Sequence, residues 1–65
     1  MNWDELKGDW KTFAGKIKAK WGKLTDDDMT VINGKRDELS GRIQKHYGHT
    51  KEVAEKHIDE FLKTV

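Results

Sequence analysis

Apolar residues stand at Trp3, Leu6, Trp10, Phe13, Ile17 and Trp21, stepping by 3, 4, 3, 4 and 4 positions. This is the stripe of a helix with one buried face, and it excludes the two-residue alternation of a half-buried strand. The pattern predicts a helix to about Trp21. Asn2 followed by Glu5 forms a capping-box signal with Met1 and Leu6 placed as its hydrophobic staple, and Gly22 suits the left-handed residue beyond the end. A second stripe runs through Met29, Ile32, Leu39, Ile43 and Tyr47 to Gly48. Thr25 caps it, Asp26, Asp27 and Asp28 fill its first turn against the positive end of the helix dipole, and Leu24 staples onto Met29. Thr50 caps a third helix. Its apolar positions Val53, Ala54, His57, Ile58, Phe61 and Leu62 oppose Glu52, Glu55, Lys56, Asp59, Glu60 and Lys63.

The first two stripes are copies of one another. Gly8 to Gly22 reads GDWKTFAGKIKAKWG and Gly34 to Gly48 reads GKRDELSGRIQKHYG, a displacement of 26 residues. It pairs Trp3 with Met29, Leu6 with Ile32, Phe13 with Leu39, Lys16 with Arg42, Ile17 with Ile43 and Trp21 with Tyr47. The repeat is read as residues 3–22 and 29–48 of a single domain spanning 1–65. The copies differ most where Arg36 replaces Trp10, which makes the second more polar.

All six glycines belong to this repeat, at positions 8, 15, 22, 34, 41 and 48. At ~100° per residue, Gly8, Gly15, Gly34 and Gly41 point away from the apolar stripes. A glycine inside an exposed helix costs about 0.5–1 kcal/mol relative to alanine, so each needs a reason. Three are open: the helices break near Gly8 and Gly34, a second helix approaches closely, or a partner does. Breaks would turn each copy into a helical hairpin. The expected fold is therefore all-α: a small bundle of three to five helices, with two hairpins related by a pseudo-twofold axis and a C-terminal helix closing the core.

Composition narrows what such a bundle can do. With 38% charged residues, a mean hydropathy of −0.99 and 65 residues, the core is small and the surface strongly hydrated. There is no cysteine to add a disulfide or a thiolate site. No stretch approaches the ~20 apolar residues of a membrane span, and the N-terminus has no basic segment leading into an apolar run. The chain is expected to be cytoplasmic, monomeric and without a membrane partner. Net charge is only +1, but Met1–Leu24 sums to +3, whereas Thr25–Gly48 and His49–Val65 each sum to −1.

Candidate chemistry is sparse. Neighbouring aspartates at 26–28 splay about 100° apart on a helix and do not converge on one cation. His46 and His49 flank the Gly48 turn and His57 lies on an apolar face; they read as turn and boundary histidines, and no metal site is expected. No nucleophile stands beside a base and no phosphate loop follows a strand, so no catalytic residue, metal or cofactor is assigned. The one charged feature is Lys11 to Lys23, five lysines without an acid. Lys11, Lys16, Lys20 and Lys23 form a candidate anion-binding face, with nucleic acid the partner it would suit.

The run WGKLTDDD (Trp21–Asp28), with GDWKTFAGKIK and GKRDELSGRIQKHYG, resembles the CsbD-like family of small bacterial general-stress proteins over about residues 2–62. The resemblance implies a cytoplasmic, helical stress-response protein with no established activity or cofactor. Joined to the hydrated composition, it points to a non-enzymatic protectant of the hydrophilin kind, with a nucleic-acid-binding module as the alternative.

Overall fold

The computed structural model describes residues 1–65 as five helices: α1 (Trp3–Gly8), α2 (Trp10–Lys20), α3 (Asp26–Ile32), α4 (Arg36–Tyr47) and α5 (Lys51–Thr64). The bundle is all-α, with a Cα radius of gyration of 10.5 Å. Both long stripes are broken. After Gly8, Asp9 takes φ −126°, ψ 48° and its N–H turns back to Leu6 O, so α2 restarts in a new direction. In the second half the break is sharper: Asn33 and Gly34 both adopt positive φ, 42° and 82°, and the Lys35 N–H reaches Ile32 O. Of the three reasons for the glycines, breakage holds at Gly8 and Gly34. A second helix packed close on Gly8, Gly15 or Gly41 does not, because a Cβ at any of them would meet nothing within 4 Å.

Gly34 is the tight position. A Cβ there would lie 3.3 Å from Lys7 Cγ, and the Trp3 indole donates to Gly34 O at 2.9 Å. Helix α1 thus crosses the break of the second half, where a positive φ and a close neighbour both favour glycine.

The caps follow the sequence signals, with two corrections. Thr25 and Asp28 make a complete capping box and Thr50 accepts from the Val53 N–H. Asn2 accepts from the Glu5 N–H at 2.9 Å, but Glu5 returns no bond, so that cap is half a box. Gly48 is left-handed with φ 68°, whereas Gly22 is not: α2 ends one residue earlier, with Trp21 at φ −114° and its N–H on Ile17 O. Trp21 is then carried off the helix end into the core, 5.3 Å from the Phe61 ring and only 4% exposed. Burial of that indole, not a glycine conformation, sets this end.

The core comprises Leu6, Phe13, Ile17, Trp21, Leu24, Met29, Ile32, Leu39, Ile43, Ala54, Ile58, Phe61 and Leu62. Residues 26 apart share their fate: Leu6 and Ile32, Ile17 and Ile43, are fully buried. Helix α5 lies along α4 and fills the centre with one face, as its two-sided pattern requires. The Met1 ammonium donates to Leu62 O at 3.0 Å and ties the chain's start to the end of α5.

Candidate functional site

Two polar clusters are built into the bundle, and each has a structural task. The first centres on Asp28, third residue of α3 and 5% exposed. Its Oδ2 accepts from the Thr25 N–H at 2.8 Å and the Thr25 hydroxyl at 3.1 Å. From α4, one turn apart, Arg42 Nη1 reaches Oδ1 at 3.2 Å and His46 Nε2 lies 3.0 Å from Oδ2. The Thr25 N–H holds the Asp28 carboxyl below the ordinary carboxylate range; burial opposes this, and the Thr25 hydroxyl, His46 and Arg42 reinforce it. The carboxylate therefore caps α3 and fastens it to α4. Sequence reasoning placed Asp28 against the helix dipole and missed both Arg42 and His46; their i, i+4 spacing on one side of the second stripe was the available signal.

The second centres on Arg36, the residue that replaces Trp10 in the repeat. Its Nε donates to Glu55 Oε1 at 2.8 Å and its Nη2 to Asp59 Oδ1 at 2.7 Å, clasping the start of α4 to α5. Burial works against the guanidinium's charge, but the bonds to Asp59 and Glu55 outweigh it and keep the group above its usual value. Glu55 Oε2 is buried without a hydrogen bond, so Arg36 is that carboxylate's main compensation. The polarity noted at position 36 is thus an inter-helix tie. In the first half, Trp10 stays half-buried and tilts against Trp3 at 6.4 Å.

His57 is half-buried, as a boundary residue should be, whereas His46 and His49 are half-buried beside the Gly48 turn and not exposed as turn residues usually are. His49 stacks on Tyr47 with centroids 5.8 Å apart and tilts against His57 at 5.2 Å. No three histidine or carboxylate side chains gather in a geometry fit for a metal ion. Ser40 is buried and accepts from Gln44, facing no cavity.

Two open grooves mark the surface, of about 490 and 400 Å³. One lies where α1 meets the start of α4 (Trp3, Lys7, Arg36, Asp37), the other where α3 meets the start of α2 (Met29, Asn33, Trp10, Lys11). These residues correspond position for position at a displacement of 26. Each groove therefore lies between the short helix of one half and the start of the long helix of the other.

The candidate lysines Lys11, Lys16, Lys20 and Lys23 are all exposed, and none has a carboxylate within ion-pair distance. Lys16 Nζ lies 5.5 Å from the Phe13 ring centroid and Lys23 Nζ 5.1 Å from that of Tyr47, contacts that position the ammonium without neutralising it. Lys18, between them in sequence, pairs with Asp26 of α3.

Broken stripes, the Thr25–Asp28 box and two interlocked hairpins closed by a fifth helix define a small helical protein of one kind. Residues 4–56 match the CsbD-like family, and the chain belongs to that family of bacterial stress-response proteins. It is 60% identical over 63 residues to UPF0337 protein YjbJ of Escherichia coli O6:H1, covering 97% of this chain and 91% of the relative. It is also 64% identical over 58 residues to UPF0337 protein ECA0631 of Pectobacterium atrosepticum, 89% of this chain and 84% of that protein. UPF0337 protein pc0632 of Protochlamydia amoebophila is 51% identical over 61 residues, 94% and 92% of the two chains. None of these names is that of an enzyme family. No helix is long and apolar enough to cross a membrane.

Proposed function

We propose that this chain is a non-enzymatic cytoplasmic protectant of the stress response, acting as a hydrated, folded particle between other macromolecules. The observation that carries the reading is its surface. Among large apolar side chains only Met1, Val31 and Val53 are exposed, and the rest of the exterior is dominated by charge. Such a surface holds water and offers no sticky patch, so it separates neighbours without joining their aggregates. The buried polar groups support the same reading, because Asp28 is occupied in tying α3 to α4 and Ser40 is satisfied within α4 by Gln44.

The test is to dry a desiccation-sensitive enzyme with this protein or with an equal mass of inert protein, then assay it after rehydration. Greater recovered activity with this protein is expected; recovery no better than the inert control would remove the reading.

A second reading is favoured by one specific observation. Lys11, Lys16, Lys20 and Lys23 keep their charge unpaired on and just beyond one helix, which supports binding of nucleic acid there.

A further inference from the structure

The repeat contains its own comparison for the lysine face. Lys16 and Lys20 correspond to Arg42 and His46, and Asn2 corresponds to Asp28. In the second half the two basic side chains are engaged by the buried Asp28 carboxylate, at 3.2 and 3.0 Å. In the first half the equivalent residue is a neutral amide, occupied in accepting from the Glu5 N–H. Lys16 and Lys20 have no carboxylate within 4.0 Å and remain exposed. The same pair of positions is thus an internal lock in one half and a free cationic pair in the other.

We infer that Lys16 and Lys20, extended by Lys23, dock α2 on the phosphate backbone of a double-stranded nucleic acid; Lys11 stands about 140° or more round the helix from them and takes no part. This rests on the second reading above and names its partner and its anchoring pair. Residues four apart on a helix rise by about 6 Å, roughly two phosphates along one strand of a duplex, so both ammonium groups can address one backbone. Single strands are held largely by stacking bases on exposed aromatic rings. Here Trp21 is 4% exposed, and Trp3 and Trp10 are half-buried against each other and the core. A bilayer is matched less well, because the exposed residues between the lysines are Thr12, Gly15, Ala19 and Gly22, without a bulky apolar group to enter it. Net charge of only +1 and few phosphate contacts make the binding weak, non-specific and steeply salt-dependent.

The experiment titrates labelled duplex DNA, the matching single strand and phosphatidylserine vesicles with the full chain at several salt concentrations from about 20 mM upward, where counterion release is largest. It uses wild type, Lys16→Gln/Lys20→Gln, Lys16→Arg/Lys20→Arg and, on α5, Lys51→Gln/Lys56→Gln, each checked for helix content by circular dichroism. Duplex binding is expected to weaken about tenfold or more in the Lys16/Lys20 glutamine variant, and its log–log salt slope to fall by roughly 2. The arginine and α5 variants should keep wild-type binding. Absence of binding to either nucleic acid at the lowest salt overturns the nucleic-acid reading itself. Nucleic-acid binding that is indifferent to Lys16 and Lys20, or equally reduced by the α5 pair, overturns this inference and leaves that reading standing. Tighter binding to the single strand, or to the vesicles, overturns the choice of duplex.

Discussion

Arg42 reaches from α4 to the Asp28 carboxylate on α3 at 3.2 Å, meeting it from one side while the Thr25 N–H holds it from another at 2.8 Å. One buried charge therefore serves two levels of structure. It completes the cap of a seven-residue helix, too short to be stable alone, and fixes that helix against its neighbour. Asp28→Asn keeps the shape but leaves Arg42 and His46 without a carboxylate. We expect a loss of about 2 kcal/mol, since hydrogen bonds to charged groups contribute ~1.5–3 kcal/mol and both partner side chains are partly solvated. In a domain of this size that lowers Tm by roughly 8–16 °C, measured by thermal circular dichroism. An unchanged Tm would show that the cluster contributes nothing.

The same carboxylate sets an acid dependence. Its folded pKa is lowered, so the unfolded chain takes up the proton first. Its stabilising contribution is complete above the unfolded value of about 4 and is lost as pH falls through the lower folded value. Urea midpoints measured from pH 6 down to pH 2 should fall in the wild type and fall less steeply in Asp28→Asn. Parallel curves would assign the acid sensitivity to other carboxylates.

The glycines of the repeat should not all respond alike to alanine. Gly15 and Gly41 lie inside exposed helix with nothing within 4 Å of a new Cβ. Gly15→Ala and Gly41→Ala should each add about 0.5–1 kcal/mol of stability in chemical denaturation. Gly34→Ala should instead lose about 1–2 kcal/mol, because φ is +82° and the new methyl would press on Lys7 Cγ. Stabilisation by Gly34→Ala would contradict the bent connection described here.

Arg36 can be tested by its partners. Asp59 is 61% exposed and Glu55 only 28%, so the two ion pairs should not be equal. In double-mutant cycles with Arg36→Gln, we expect a coupling of about 1–2 kcal/mol to Glu55→Gln and less than about 0.5 kcal/mol to Asp59→Asn. The Asp59 term should also vanish first as salt is raised. Equal couplings would mean that burial does not distinguish the pairs.

Much of this bundle is legible in the sequence because helices announce themselves locally. The stripes, the Thr25 and Thr50 caps, the left-handed Gly48 and the opposed faces of α5 are properties of short segments, governed by the helical period and by backbone groups that need partners. The 26-residue displacement was likewise legible, though the two grooves it relates came only from the fold. Tertiary structure decided what depends on distant neighbours. Periodicity alone does not distinguish a continuous helix from one bent at Asp9 or Asn33, since the apolar face survives the bend. Gly22 carries a good end signal, yet the gain from burying Trp21 beside Phe61 ends α2 another way. The charges divided by the same rule. Arg42, His46 and Lys16 look alike along the chain, and only the position of Asp28 in space leaves the first two as ties within the bundle and the third free on its surface.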